Sequence, residues 1–293
     1  MTSICYDDKI KIVYKSFFGL KERPFNVTAD PNFLFFSKKH REAFDHLIYG
    51  IKERKGFLEI TGEIGTGKTT LCRALLGQLD EKTKTAFILN SNLPEMQLLL
   101  AIVTDLGLTV KPKTKISLLT ELNRFLIAEL KAGSNVVLII DEAQNLKAAQ
   151  LEQIRLLSNL ETDKEKLIQI VLVGQPQLKE KLDSPELEQL RQRIAVRYHI
   201  LPLDNTEVGD YIYHRLRVAG AGGDRAGGDR TDGGITFEPD ALAEIYEYSS
   251  GVPRLINLIC DRALLLGFAM ETKTMTLDMI KRSVEEIEGY VKI

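Results

Sequence analysis

The chain has 293 residues, a formal net charge of -2, 44% hydrophobic and 27% charged side chains, enough for about two ordinary globular domains. This balance excludes a globally basic nucleic-acid binder, while a local basic patch stays open. No apolar run approaches the ~18 residues of a membrane-spanning helix, and residues 1–11 mix acids and lysines without the apolar stretch of a secretory leader.

Cys5, Cys72 and Cys260 lie far apart and form no C-x-x-C pair. Free thiols in a reducing compartment are therefore expected, which points to the cytoplasm. Residues 1–13 read as a frayed leader. Residues 14–36 carry Phe17, Phe18, Pro24, Phe25, Pro31, Phe33, Phe35 and Phe36 with no steady period. They read as an irregular segment packed on the core of the next domain. Ala43, Phe44, Leu47, Ile48 and Ile51 share one helical face, so a helix over 38–52 is expected, capped by Ser37.

A short apolar strand follows at 56–61, then a helix from Thr70, a strand at 85–89, and a helix opened by Pro94 and stopped by Gly107. The spacing predicts another helix over 117–131. The unbroken apolar run at 135–140 predicts a strand covered on both faces. A helix at 148–160, a buried strand at 167–173, a helix at 185–193 and a last strand at 196–201 complete the alternation. The fold class is therefore α/β, with a mostly parallel sheet flanked by helices.

From Asn205 the pattern turns helical throughout. Thr206 is the expected cap of a helix over 207–219, Pro239 opens 240–248, Pro253 opens 254–269 and Asp278 begins 279–290. The expected domains are residues 1–36, 37–204 and 205–293. Residues 220–234 contain Gly-Gly-Asp-Arg twice and read as a duplicated surface-loop insertion.

The chemistry concentrates in Gly62-Glu63-Ile64-Gly65-Thr66-Gly67-Lys68-Thr69-Thr70, which has the spacing G-x-x-x-x-G-K-[ST] between a strand and a helix. Glycines let backbone N–H groups converge on phosphate oxygens, and the helix N-terminus faces them. Lys68 is placed to reach the β- and γ-phosphates, and the Thr69 hydroxyl to bind Mg2+. Four or five apolar residues then end in Asp141 and Glu142, at the edge of a strand where α/β sheets bind ligands. Asp141 is expected to hold Mg2+, directly or through water, and Glu142 to polarise the attacking water. Gln175, after the next strand, either helps position that water or is a plain turn residue. Arg191 and Arg193 read as an arginine finger for a neighbouring subunit or as a solvated basic face. Arg254 opens a helix, a poor place for a cation, and is explained by an anionic ligand or by a surface ion pair.

In this order the pieces resemble an AAA+ ATPase: a Walker A loop, Walker B acids at Asp141 and Glu142, Gln175 at sensor 1, Arg191 or Arg193 as the finger and Arg254 at sensor 2. The segments Tyr14-Lys15-Ser16-Phe17-Phe18-Gly19-Leu20, Arg23-Pro24-Phe25, Asp30-Pro31, Phe33-Leu34 and His40-Arg41-Glu42-Ala43 look like the general secretion pathway protein A family of the ExeA type. So do Asp141-Glu142-Ala143-Gln144-Asn145-Leu146, Gly174-Gln175-Pro176 and Leu190-Arg191-Gln192-Arg193. The resemblance implies a P-loop NTPase domain followed by a small all-α lid. It implies an ATP- and Mg2+-dependent homo-oligomer acting on a protein partner in a secretion or cell-envelope complex, in the cytoplasm or peripheral to the inner membrane. Adenine would lie against the N-terminal segment around Arg23 to Phe25 and the lid boundary. Two alternatives are a DNA-dependent ATPase resembling the TniB and TnsC transposition helpers, and a scaffold that binds ATP and barely hydrolyses it. The net charge disfavours the first, and intact Lys68, Asp141 and Glu142 the second. Asp-Glu-Ala-Gln also resembles a helicase box, but no second sheet-forming half is apparent. GTPase is disfavoured because no Asn-Lys-x-Asp signature follows the loop.

Overall fold

A computed structural model describes residues 14–161, 165–221 and 234–289. The chain divides into two compact units. One comprises Lys38–Ile64 with Lys68–Leu201. The other comprises the described part of Met1–Ser37, the loop tip Gly65–Gly67 and the described part of Pro202–Ile293.

The first unit is α/β. Its elements are α1 (Lys38–Lys52), β1 (Phe57–Gly62), α2 (Lys68–Gln78), β2 (Thr83–Ile88), α3 (Glu95–Asp105), α4 (Lys115–Lys131), β3 (Asn135–Ile140), α5 (Ala148–Leu157), β4 (Gln169–Gly174), α6 (Pro176–Leu182), α7 (Glu188–Arg191) and β5 (Ile194–Ile200). All five strands are parallel, in the order β2-β3-β4-β1-β5. The central strands β1 and β4 are buried at every residue, and β3 from Val136 to Ile140, as a sheet covered on both faces requires. The edge strand β5 instead alternates between half-buried and exposed residues up to Tyr198 and His199. Register pairs Ile140 with Leu172 and Thr61 with Gly174, so β3, β4 and β1 end along one edge. Because β1 lies between β4 and β5 while the chain leaves it for β2, that edge contains a reversal of strand order, where such sheets bind ligands.

Local details depart from expectation for identifiable reasons. Pro176 opens α6, a helix the turn-like Gly174-Gln175-Pro176 concealed, since proline suits a first helical turn as well as a loop. The single helix expected over 185–193 is a 3-10 turn at Pro185–Leu187 followed by α7. Helix α4 starts earlier than expected because Thr114 caps it, its hydroxyl oxygen accepting the Ser117 N–H at 3.2 Å.

The second unit is helical. Its elements are α8 (Asn205–Val218), β6 (Thr236–Phe237), α9 (Pro239–Ser249), α10 (Pro253–Ala269), β7 (Thr274–Met275) and α11 (Leu277–Glu288). Asp204, not Thr206, caps α8: its carboxylate accepts the Glu207 N–H at 2.9 Å, and the Thr206 hydroxyl donates to the same oxygen at 2.6 Å. Strands β6 and β7 form a two-residue parallel pair, too short to leave a period in the sequence.

The N-terminal segment is corrected in two respects. It is helical over residues 14–18, and it forms a 3-10 turn at Pro31–Phe33 capped by Asp30. Its side chains Tyr14, Phe18, Leu20, Phe25 and Phe33 share one core with Leu216, Ile256 and Leu264 of the helical unit, where the sequence had suggested the core of the next domain. Arg215 explains the attachment. Buried at 6% exposure, it donates to the carbonyls of Pro24 (2.5 Å) and Asn26 (2.9 Å) and to the Tyr211 hydroxyl (3.0 Å), with its guanidinium 4.7 Å from the Phe33 ring centre. A charge buried this deeply is tolerated only when its donors are satisfied. The duplicated Gly-Gly-Asp-Arg tract lies outside the described residues, as does Cys5. Cys72 and Cys260 are buried free thiols. Among the described residues no helix is long and apolar enough to cross a membrane.

Candidate nucleotide site

The loop runs from the end of β1 at Gly62 to the start of α2 at Lys68. Gly65 and Gly67 have φ of 83° and 90°, a left-handed conformation that a side chain would strain. Thr66 is buried, Ile64 is exposed, and Thr69 and Thr70 are half-buried in the first turn of α2. Lys68 is only 6% exposed, and its ammonium donates to the carbonyls of Gly62 and Glu63, each at 2.8 Å. Burial pushes its pKa down, opposed by the nearby carboxylates of Glu142 and Asp141.

Asp141 and Glu142 follow β3 directly. The Asp141 N–H donates to the Ile88 carbonyl at 2.9 Å, which extends the β2–β3 ladder by one bond and fixes where the acid emerges. The Thr69 hydroxyl donates to Asp141 Oδ2 at 2.5 Å. Burial raises the Asp141 pKa, while the Thr69 bond and the Glu142 N–H, 2.9 Å from Oδ1, oppose the rise. A hydroxyl and a carboxylate this close are hard oxygen donors of the kind Mg2+ takes, with phosphate oxygens and water completing its shell. Among the described residues no group of three or more His, Cys, Asp or Glu side chains gathers into a metal site, so a cation here would rest on Thr69, Asp141 and the nucleotide's own oxygens.

Glu142 itself is left-handed, with φ 51° and ψ 38°. A residue with a side chain held there marks a locally strained position. Its carbonyl accepts the Ser91 hydroxyl at 2.7 Å. Its side-chain Oε2 accepts two amide donors, Gln144 Nε2 at 2.5 Å and Gln175 Nε2 at 3.1 Å. The structure thus joins Lys68, Thr69, Asp141, Glu142 and Gln175 in one place. It also adds Gln144 and Ser91, which the sequence argument did not assign to the site.

The arginines separate. Arg191, the last residue of α7, is exposed. Arg193 is half-buried and its guanidinium donates to the Ser158 hydroxyl at 3.1 Å. Arg254 is exposed at the start of α10. Within the helical unit its N–H donates to the Gly65 carbonyl at 3.2 Å, and a Cβ on Gly65 would stand 2.7 Å from that of Arg254.

A family model described as AAA domain matches residues 51–182, from α1 to α6. The chain is similar to General secretion pathway protein A of Aeromonas hydrophila, 45% identical over 278 residues that make up 94% of this chain and 49% of the relative. It thus spans about half the length of that curated relative. In fold it is similar to the Aeropyrum pernix ORC2 protein in its ADPNP-ADP complexes, with TM-score 0.64 and 18% identity over 91% of this chain and 72% of that one. It is also similar to Cdc6p from Pyrobaculum aerophilum, with TM-score 0.62 and 17% identity over 93% of this chain and 70% of that one. Residues 51–182 thus match an AAA domain, and the chain is related, over nearly all of its own length, to about half of general secretion pathway protein A.

Proposed function

We propose that the chain binds ATP with Mg2+ and hydrolyses it as a homo-oligomer. The carrying observation is the joining of Thr69 to Asp141 at 2.5 Å beside a Glu142 held by Gln175. Residues 62–70 supply backbone and side-chain donors to the phosphates. Lys68 exchanges its two loop carbonyls for the β- and γ-phosphates. Thr69 and Asp141 hold Mg2+, whose chemistry is to neutralise charge on the phosphate oxygens. Water oxygen bonds to the γ-phosphorus as the bond to the β–γ bridging oxygen breaks, and Glu142 takes the water proton through Oε1, the oxygen its amide partners leave open.

Arg191 is the better finger. It is exposed, whereas Arg193 is tied to Ser158. Arg254 keeps the sensor 2 role that the resemblance gives it. The relation to general secretion pathway protein A supports a protein partner in a secretion or cell-envelope complex, and a place in the cytoplasm or at the inner membrane.

Replacing Arg191 by alanine is expected to lower turnover about 1,000-fold or more and to abolish its rise with protein concentration, since trans arginines carry effects of this order. Arg193→Ala should leave most of that rise intact. Mixing Arg191→Ala with Glu142→Gln subunits should restore turnover, because one partner keeps the glutamate and the other the finger. Mixtures no more active than their parts would refute a site shared between subunits.

A further inference from the structure

We propose that Gln144 is the positioning residue of the hydrolytic site, a strap that holds Glu142 and couples it to the end of β4. The proposal rests on the ATPase reading above and names a residue that reading does not use.

Gln144 uses both ends of its amide. Its Nε2 donates to Glu142 Oε2 at 2.5 Å, and its Oε1 accepts the backbone N–H of Gln175 at 3.1 Å. The Gln175 side chain closes the triangle by donating to the same Oε2 at 3.1 Å. One carboxylate oxygen is thereby fixed by two donors while the other stays open. An unbranched side chain on a left-handed residue has several rotamers to choose from, and this bonding selects one.

The surroundings are built to fit the strap. Gly174 ends β4, and a Cβ there would lie 2.7 Å from Gln144 Oε1 and 2.9 Å from a Leu178 methyl. Gly174 has no left-handed φ, so the missing side chain serves space and not backbone conformation. On the other side, the Lys181 ammonium donates to the carbonyls of Gln144 (2.5 Å) and Leu146 (2.7 Å), fixing the turn that carries the strap. Residues that follow β3 and β4 therefore meet at the Gln144 amide, while α6 fixes the backbone that carries it.

A positioning role separates from a structural one through the residue it acts on. Gln144→Ala should lower kcat for ATP about 10- to 100-fold, the range seen when supporting groups around a reactive ligand are removed, with KM and ATP affinity within about twofold of the parent. Gln144→Glu keeps the shape and the acceptor for the Gln175 N–H but turns an acceptor toward Glu142, so it should lose as much or more. In a Glu142→Gln background, Gln144→Ala should cost nothing further, because its effect passes through the glutamate. Gln144→Ala indistinguishable from the parent overturns the proposal. So does a loss of ATP affinity parallel to the loss of kcat, or a further loss in the Glu142→Gln background. If Glu142→Gln itself leaves turnover unchanged, the ATPase reading fails first and the positioning role with it.

Discussion

Glu142→Gln is expected to reduce ATP hydrolysis about 100-fold or more, the contribution typical of a positioned general base, while ATP stays bound. The amide cannot take the water proton, yet it keeps an oxygen that accepts from Gln144 and Gln175, so the turn should hold its shape. Binding depends on other groups: the loop N–H donors, Lys68, and the Thr69–Asp141 pair joined at 2.5 Å. Phosphate release and retention of labelled ATP on the same preparation check this. Parallel loss of both would mean that Glu142 supports the loop instead of the chemistry.

The largest expected effect on stability lies at Gly251. It has φ of 74°, and a Cβ there would come 1.9 Å from the Leu203 carbonyl oxygen and 2.9 Å from its carbon. That carbonyl cannot simply withdraw, because the Leu203 N–H donates to the Gly251 carbonyl at 2.9 Å. Gly251→Ala should therefore destabilise the chain by about 3 kcal/mol or more, the range of changes that force backbone to move. Gly19→Ala is the control. Gly19 also has a positive φ, 69°, but nothing lies within 4 Å of its added Cβ, so only the left-handed backbone is penalised, by about 1 kcal/mol. Denaturant unfolding of the two variants separates steric conflict from conformational strain. Equal shifts would place the whole effect in the dihedral.

Much of the α/β unit was legible because its signals are local. The run from Val136 to Ile140 read as a strand buried on both faces, and it ended in acids where such strands present ligands. The glycines at 65 and 67 were readable as positions where backbone N–H groups approach a phosphate, and the structure adds that both are left-handed. What stayed hidden depends on neighbours distant in sequence. Gln144 looked like the tail of an Asp-Glu-Ala-Gln string. Its partner, the Gln175 N–H, becomes visible only when β4 is known to lie beside β3. The aromatic segment after Tyr14 showed that it must pack somewhere, but its partner depended on Arg215, some 190 residues away, bonding to Pro24 at a separation of 191. Asp204 outcompeted Thr206 as a cap from two positions earlier, a choice that propensity cannot make between two good capping residues. The tether of Arg193 to Ser158 likewise depends on α5 meeting the end of α7.

The central claim is that residues 62–70 with Asp141 and Glu142 form an ATP-hydrolysing site. Phosphate release from ATP by the purified parent chain, measured across protein concentration in Mg2+ and again in excess EDTA, tests it most directly. The account predicts turnover that rises more steeply than protein concentration in Mg2+ and disappears in EDTA. The absence of turnover at every concentration, or turnover unchanged by EDTA, would contradict it.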